Sequence, residues 1–115
     1  MILLVDDDET VRETSADMLE ELGHTVLQAA DGDSALILLD EHDGIDVMVT
    51  DIRMPGMSGL ELSELAGQRF RDLKIILISG YFLPQPINRR FLQKPFRIRD
   101  LDQAIRTELS PSGYV

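Results

Sequence analysis

The chain has 115 residues, with 21 Asp and Glu against 11 Lys and Arg, and a formal net charge of -10. That length supports one domain with a hydrophobic core, and 43% apolar residues place it among folding chains rather than disordered ones. The charge argues against nonspecific nucleic-acid binding and against anionic membranes. The absence of cysteine excludes a disulfide scaffold, a thiolate metal site and cysteine catalysis. No apolar run approaches membrane-spanning length and the N-terminus lacks a signal peptide's basic start. The expected location is the cytoplasm, or the cytoplasmic part of something larger.

In chain order, Ile2 to Val5 is a continuous apolar run, as expected of a strand buried on both faces of a parallel sheet. Val11, Ser15, Met18, Leu19 and Leu22 then fall on one face of a helix that Gly23 is placed to end. Thr25 to Ala30 is more mixed and reads as an edge strand. Asp33 or Ser34 can cap a second helix carrying Ala35, Leu36 and Leu39, which stops before Gly44. Ile45 to Val49 is the next strand, with Asp46 near its start. Gly59 to Gln68 reads as a third helix bearing Leu60, Leu62 and Leu65. Ile75 to Ile78 is the cleanest strand, and Arg90 to Gln93, with Phe91 and Leu92, is a weaker fifth. Leu101, Ala104, Ile105 and Leu109 mark a last helix stopped by Ser110-Pro111. Strands alternating with helices predict right-handed crossovers and a three-layer α/β sandwich. Residues 1–115 form one domain, with 110–115 as a tail or the start of a linker.

Polar residues follow each buried strand. Val5 leads into Asp6, Asp7, Asp8 and Glu9; Val49 and Thr50 into Asp51; Ile78 into Ser79; and the fifth strand into Lys94. In a parallel sheet these places share the carboxyl edge, where open α/β sheets bind ligands at the point of strand-order reversal. With the order 2-1-3-4-5 that point brings Asp6 and Asp7 beside Asp51. Two carboxylates about 4 Å apart repel by roughly 4 kcal/mol at an effective dielectric of about 20. Such a cluster must take up protons or hold a cation, and oxygen-only ligands select a hard ion such as Mg²⁺. A carboxylate beside that ion can act as a nucleophile toward a phosphoryl group, with Lys94 and Ser79 meeting its oxygens.

As a set, Val5-Asp6-Asp7-Asp8, the run Val49-Thr50-Asp51-Ile52-Arg53-Met54-Pro55-Gly56-Met57-Ser58-Gly59, Ile76-Leu77-Ile78-Ser79-Gly80 and Lys94-Pro95-Phe96 resemble the signatures of response-regulator receiver domains. The resemblance covers essentially the whole chain in order. It implies a flavodoxin-like fold with a five-stranded parallel sheet ordered 2-1-3-4-5. It also implies that Asp51 is the phosphoacceptor, and that Asp6, Asp7, Asp51 and the Arg53 main-chain carbonyl hold Mg²⁺. By the same resemblance Ser79 is the switch hydroxyl, Lys94 the phosphate-sensing lysine, and Phe91 the aromatic that changes rotamer. Lys94-Pro95 is the bond expected to be cis. The implied partner is a histidine kinase or histidine phosphotransfer domain, with no direct nucleic-acid binding and no membrane insertion. The protein is then a signalling phosphoacceptor that promotes its own phosphorylation and dephosphorylation, not an enzyme acting on a separate substrate. The wording around Ser79-Gly80-Tyr81 and Phe91 to Phe96 is similar to receivers of hybrid sensor kinases.

Taken singly, each element has a plainer reading. The run Asp6 to Glu9 suits a helix N-terminus, Asp51 a turn, and Lys94-Pro95 an extended dipeptide. Met54 and Met57 read as loop packing, and His24 and His42 as solvated surface. Gly56-Met57-Ser58-Gly59-Leu60 nearly spells a nucleophile elbow but lacks its last glycine, and no Gly-rich nucleotide loop is present. Two alternatives to the phosphoacceptor remain. A haloacid-dehalogenase-like phosphatase would want a second Asp where Arg53 stands, and a receiver-like interaction module would never be phosphorylated. The segment from Gly80 to Arg89, with Pro84 and Pro86, is short for a crossover. A fourth helix there is expected to be missing or much shortened, so a homodimer is not expected to use a standard fourth-helix face. Tyr81, Phe82, Leu83 and Ile87 are candidates to cover the sheet edge or meet a partner.

Overall fold

In the computed structural model, which describes residues 1–80 and 89–110, strand β1 (Ile2–Val5) is buried along its whole length. Ile2 and Leu4 face one helical layer, Leu3 and Val5 the other, so a period-2 element shows no polar alternation. β3 (Val47–Asp51) is likewise buried and apolar up to Thr50, and β4 (Lys74–Ser79) from Ile75 to Ile78. β2 (Val26–Ala29) and β5 (Arg90–Gln93) form the edges and are only partly buried. All neighbours are parallel and the order is β2-β1-β3-β4-β5, as expected. The third strand starts at Val47 rather than Ile45. Asp46 only anchors its entry, donating its N–H to the Met1 carbonyl (2.9 Å) and accepting from the Lys74 N–H (3.0 Å).

Helices α1 (Glu9–Glu21) and α4 (Ile98–Glu108) cover one face of the sheet, and α2 (Gly32–Glu41) and α3 (Gly59–Arg69) the other. The helix labelled α4 follows β5. The segment expected to lack a full helix, residues 81–88, lies outside the described residues. Asp8 caps α1 by accepting from the Val11 N–H, and Gly23, at φ 100°, ends it. The cap of α2 is Asp31 rather than Asp33 or Ser34. Its carboxylate accepts from the Ser34 N–H at 2.8 Å, which holds its carboxyl below the usual range.

Two helices are rotated from their expected faces. In α1 the sheet is met by Ala16 and Leu19, while Val11, Met18 and Leu22 stay about 40% exposed. In α3, Leu62, Ser63 and Ala66 point inward while Leu60 and Leu65 are exposed. Leu19 and Leu62 are fully buried as expected, but their inward neighbours are the small Ala16, Ser63 and Ala66, while the remaining large apolar side chains of the expected faces lie toward solvent. Each helix thus meets the sheet through one leucine flanked by small residues, which rotates the buried face from the one the apolar pattern marks.

Candidate functional site

The register places the acids. Val5 pairs with Thr50, so the next residues, Asp6 and Asp51, leave adjacent strands side by side at the carboxyl edge, where the strand order reverses. One carboxylate oxygen each from Asp6, Asp7 and Asp51 lies within 4.8 Å of the others. Asp6 is buried, Asp51 half-buried and Asp7 exposed. Burial raises the Asp6 carboxyl above its ordinary range. The Asp8 N–H, 2.9 Å from Asp6 Oδ1, and the Lys94 ammonium oppose that rise, and the charges of Asp51 and Asp7 add to it. The acidic run is thus divided: Asp6 and Asp7 enter the cluster, and Asp8 and Glu9 serve the helix N-terminus.

Lys94 enters from the other side. Its N–H donates to the Ser79 carbonyl at 2.8 Å, extending the β4–β5 pairing by one residue, and the Lys94-Pro95 bond is cis. Its ammonium lies 3.3 Å from Asp51 Oδ2 and 3.9 Å from Asp6 Oδ2. Lys94 thus faces two of the three carboxylates. Ser79 is buried at the end of β4, and Phe91, half-buried in β5 opposite Leu77, packs toward the layer of α2 and α3. Arg53 sits exposed two residues past Asp51. Met54 joins the core and Met57 packs on Gly32 at the start of α2, as loop-packing residues should.

Three residues shape this edge in roles that the sequence did not mark. Thr50, fully buried, donates its hydroxyl to the Asp51 carbonyl at 3.0 Å; a polar residue within a buried strand was the available signal. Gly59 lies so close to the chain leaving β3 that a Cβ would enter the shell of the Asp51 carbonyl oxygen and come within 2.8 Å of Ile52 Cα. Arg12 donates to the Asp6 carbonyl at 2.8 Å. His24, expected as solvated surface, instead pairs with Asp102 of α4 at 2.6 Å, with its side chain 12% exposed. A cavity of about 550 Å³ among Leu39, Phe70, Leu73 and Leu109 opens at the opposite edge of the sheet, remote from the acids.

A doubly wound α/β sheet with an acidic, metal-type centre and a lysine at its switch point defines the class. Residues 2–106 match the model of the response regulator receiver domain, and the chain belongs to that family. It is 36% identical to the response regulator receiver protein CpdR of Brucella abortus, over 94% of this chain and 95% of that protein. It is 34% identical to the sensor kinase CckA of the same organism, again over 94% of this chain but only 12% of the kinase. Among solved structures, the receiver domain of hybrid histidine kinase CckA superposes with a TM-score of 0.84 at 35% identity, covering 95% of this chain and 98% of that one. The response regulator TrrA of Thermotoga maritima, in complex with Mg²⁺ and BeF, has a TM-score of 0.86 at 30% identity, covering 94% and 97%. The protein is therefore a receiver domain of the two-component signalling type. No helix among the described residues is long and apolar enough to cross a membrane.

Proposed function

We propose that this receiver accepts a phosphoryl group on Asp51 from the phosphohistidine of a kinase or phosphotransfer protein, in a Mg²⁺-dependent reaction, and changes conformation as a result. The observation that carries this reading is the convergence of Asp6, Asp7 and Asp51 oxygens within 4.8 Å, with Lys94 3.3 Å from Asp51. The donor set fits the ion. Three carboxylates offer only hard oxygen ligands, Lys94 pairs with two of them, and the exposed Asp7 side keeps the site open. Asp6, Asp7 and Asp51, with the Arg53 main-chain carbonyl, would hold Mg²⁺, which when bound neutralises charge on the incoming phosphoryl oxygens.

The remaining work belongs to the chain's own residues. An Asp51 carboxylate oxygen forms the new bond to phosphorus as the partner's P–N bond breaks and its electron pair returns to the imidazole. Lys94, which pairs with Asp51 beforehand, then pairs with a phosphoryl oxygen. The Ser79 hydroxyl donates to another, and Phe91 repacks as the end of β4 is drawn in. Attack by water later releases phosphate and restores Asp51. Arg53 in place of a second acid counts against a haloacid-dehalogenase-like phosphatase, and the complete acid and lysine set counts against a module that is never phosphorylated. A phosphohistidine partner places the domain in the cytoplasm, and any homodimer would use a face other than that of the usual fourth helix.

The test is incubation with acetyl phosphate and Mg²⁺ followed by intact mass. One added phosphoryl group is expected on the wild type and none on Asp51→Asn or with the metal chelated. No adduct on the wild type, or an undiminished one on Asp51→Asn, overturns the reading.

A further inference from the structure

Arg12 lies in the first turns of α1, outside the acidic cluster, yet its guanidinium is spent on the turn that presents Asp6. Its Nη1 donates to the Asp6 carbonyl at 2.8 Å and its Nε to Gln28 Oε1 in β2 at 3.1 Å. Gln28 stands in register with Leu4, on the strand next to β1, and is exposed. The group therefore spans α1, the exit of β1 and the edge strand. Two donors of one rigid planar fork fix its orientation, which a lysine ammonium on a flexible stem cannot do.

The Asp6 peptide is held on every side. Its N–H donates to the Ala29 carbonyl at 3.2 Å, its carbonyl accepts from Arg12, and its carboxylate accepts from the Asp8 N–H. The Arg12 N–H in turn donates to the Asp8 carbonyl at 2.9 Å, which closes the turn on itself. With both main-chain groups of Asp6 fixed, the direction in which its side chain leaves the turn is fixed as well.

We propose that Arg12, braced by Gln28, is a positioning residue for the acidic centre: it holds the β1–α1 turn so that the Asp6 carboxylate stands beside that of Asp51. This rests on the reading of the acids as a Mg²⁺ site. A positioning role and a mere charge effect are told apart by variants that leave the charge unchanged. Arg12→Lys keeps the positive charge and Gln28 carries none, so on a charge account neither change alters Mg²⁺ binding. Loosening the turn weakens binding in both cases, because a misaimed ligand is lost from the set.

The experiment is a MgCl₂ titration at constant ionic strength, followed by the backbone amide shifts around Asp51, on wild type, Arg12→Lys and Gln28→Ala. Thermal unfolding without metal is recorded beside it to separate affinity from stability. Arg12→Lys is expected to weaken Mg²⁺ by about tenfold, the low end of the range for residues that orient metal ligands, and Gln28→Ala, one step further from the ligand, by less. Should Arg12→Lys fail to fold, Gln28→Ala, altered on an exposed edge strand, decides alone. Variants that bind as tightly as wild type, or more tightly, overturn the role of Arg12 while leaving the metal site standing. A wild type that does not titrate overturns the metal site, and the role of Arg12 with it.

Discussion

Replacing Gly59 by alanine adds a methyl group where the chain leaving β3 already runs. The new Cβ would enter the shell of the Asp51 carbonyl oxygen and stand 2.8 Å from Ile52 Cα, both of them main-chain atoms with no rotamer to escape into. The Gly59 N–H also donates to the Ile52 carbonyl at 2.8 Å, so α3 cannot withdraw without losing that bond. Overpacking costs about 1–3 kcal/mol, and rigid backbone on the far side puts this case near about 3. The gain in helix propensity returns at most about 1 kcal/mol. The net loss of about 2 kcal/mol predicts a melting temperature lower by about 6–12 °C for a domain of this size. Gly67→Ala in the same helix is the control. There the Cβ would meet the Arg89 guanidinium, the movable end of a long side chain, at the expense of its 3.3 Å bond to the Ser63 carbonyl. Gain and loss nearly cancel, so its stability should stay within about 1 kcal/mol of wild type. Thermal and urea unfolding by circular dichroism measures both. Equal melting of Gly59→Ala and Gly67→Ala would refute the reasoning.

The other expectations concern charge. Asp6→Asn removes a buried carboxylate crowded by Asp51 and Asp7 while leaving an oxygen for the Asp8 N–H. It should therefore raise the melting temperature of the metal-free protein at neutral pH while abolishing Mg²⁺ binding; a lower melting temperature would contradict the burial argument. Asp102 is held below the usual carboxylate range by its bond to His24 and, to a lesser extent, by Arg106. Its folded pKa lies below the unfolded one, so the stability it contributes is present above the unfolded value and is lost as pH falls through the folded value. The stability difference between wild type and Asp102→Asn should accordingly shrink between about pH 5 and about pH 3. A difference that stays constant across that window, measured by urea unfolding, would exclude this linkage.

Much of the architecture was written in the order of residue types. Strands buried on both faces must be apolar throughout, so β1 was delimited to the residue and β4 to within one at each end. The strand-end acids and Lys94 stand out because a polar residue ending an apolar run has nowhere else to go. Gly59 was less legible, because a first-turn glycine does not announce which backbone it approaches. The faces of α1 and α3 were only partly legible, because beside Leu19 and Leu62 these helices meet the sheet through Ala16 and Ala66, which carry little hydrophobic signal.

What the sequence by itself determined is the set of elements, their alternation and the chemistry delivered to one edge of the sheet. These follow from local periodicity and from which residues can leave a buried strand. What only the tertiary structure decided is how that chemistry is held. The Arg12–Gln28 contact joins residues 16 apart and His24–Asp102 joins residues 78 apart. Neither pair is marked by any spacing, because each exists only once helices of a particular rotation pack on a sheet of a particular register. Packing geometry, not residue type, selects the partner of a long polar side chain.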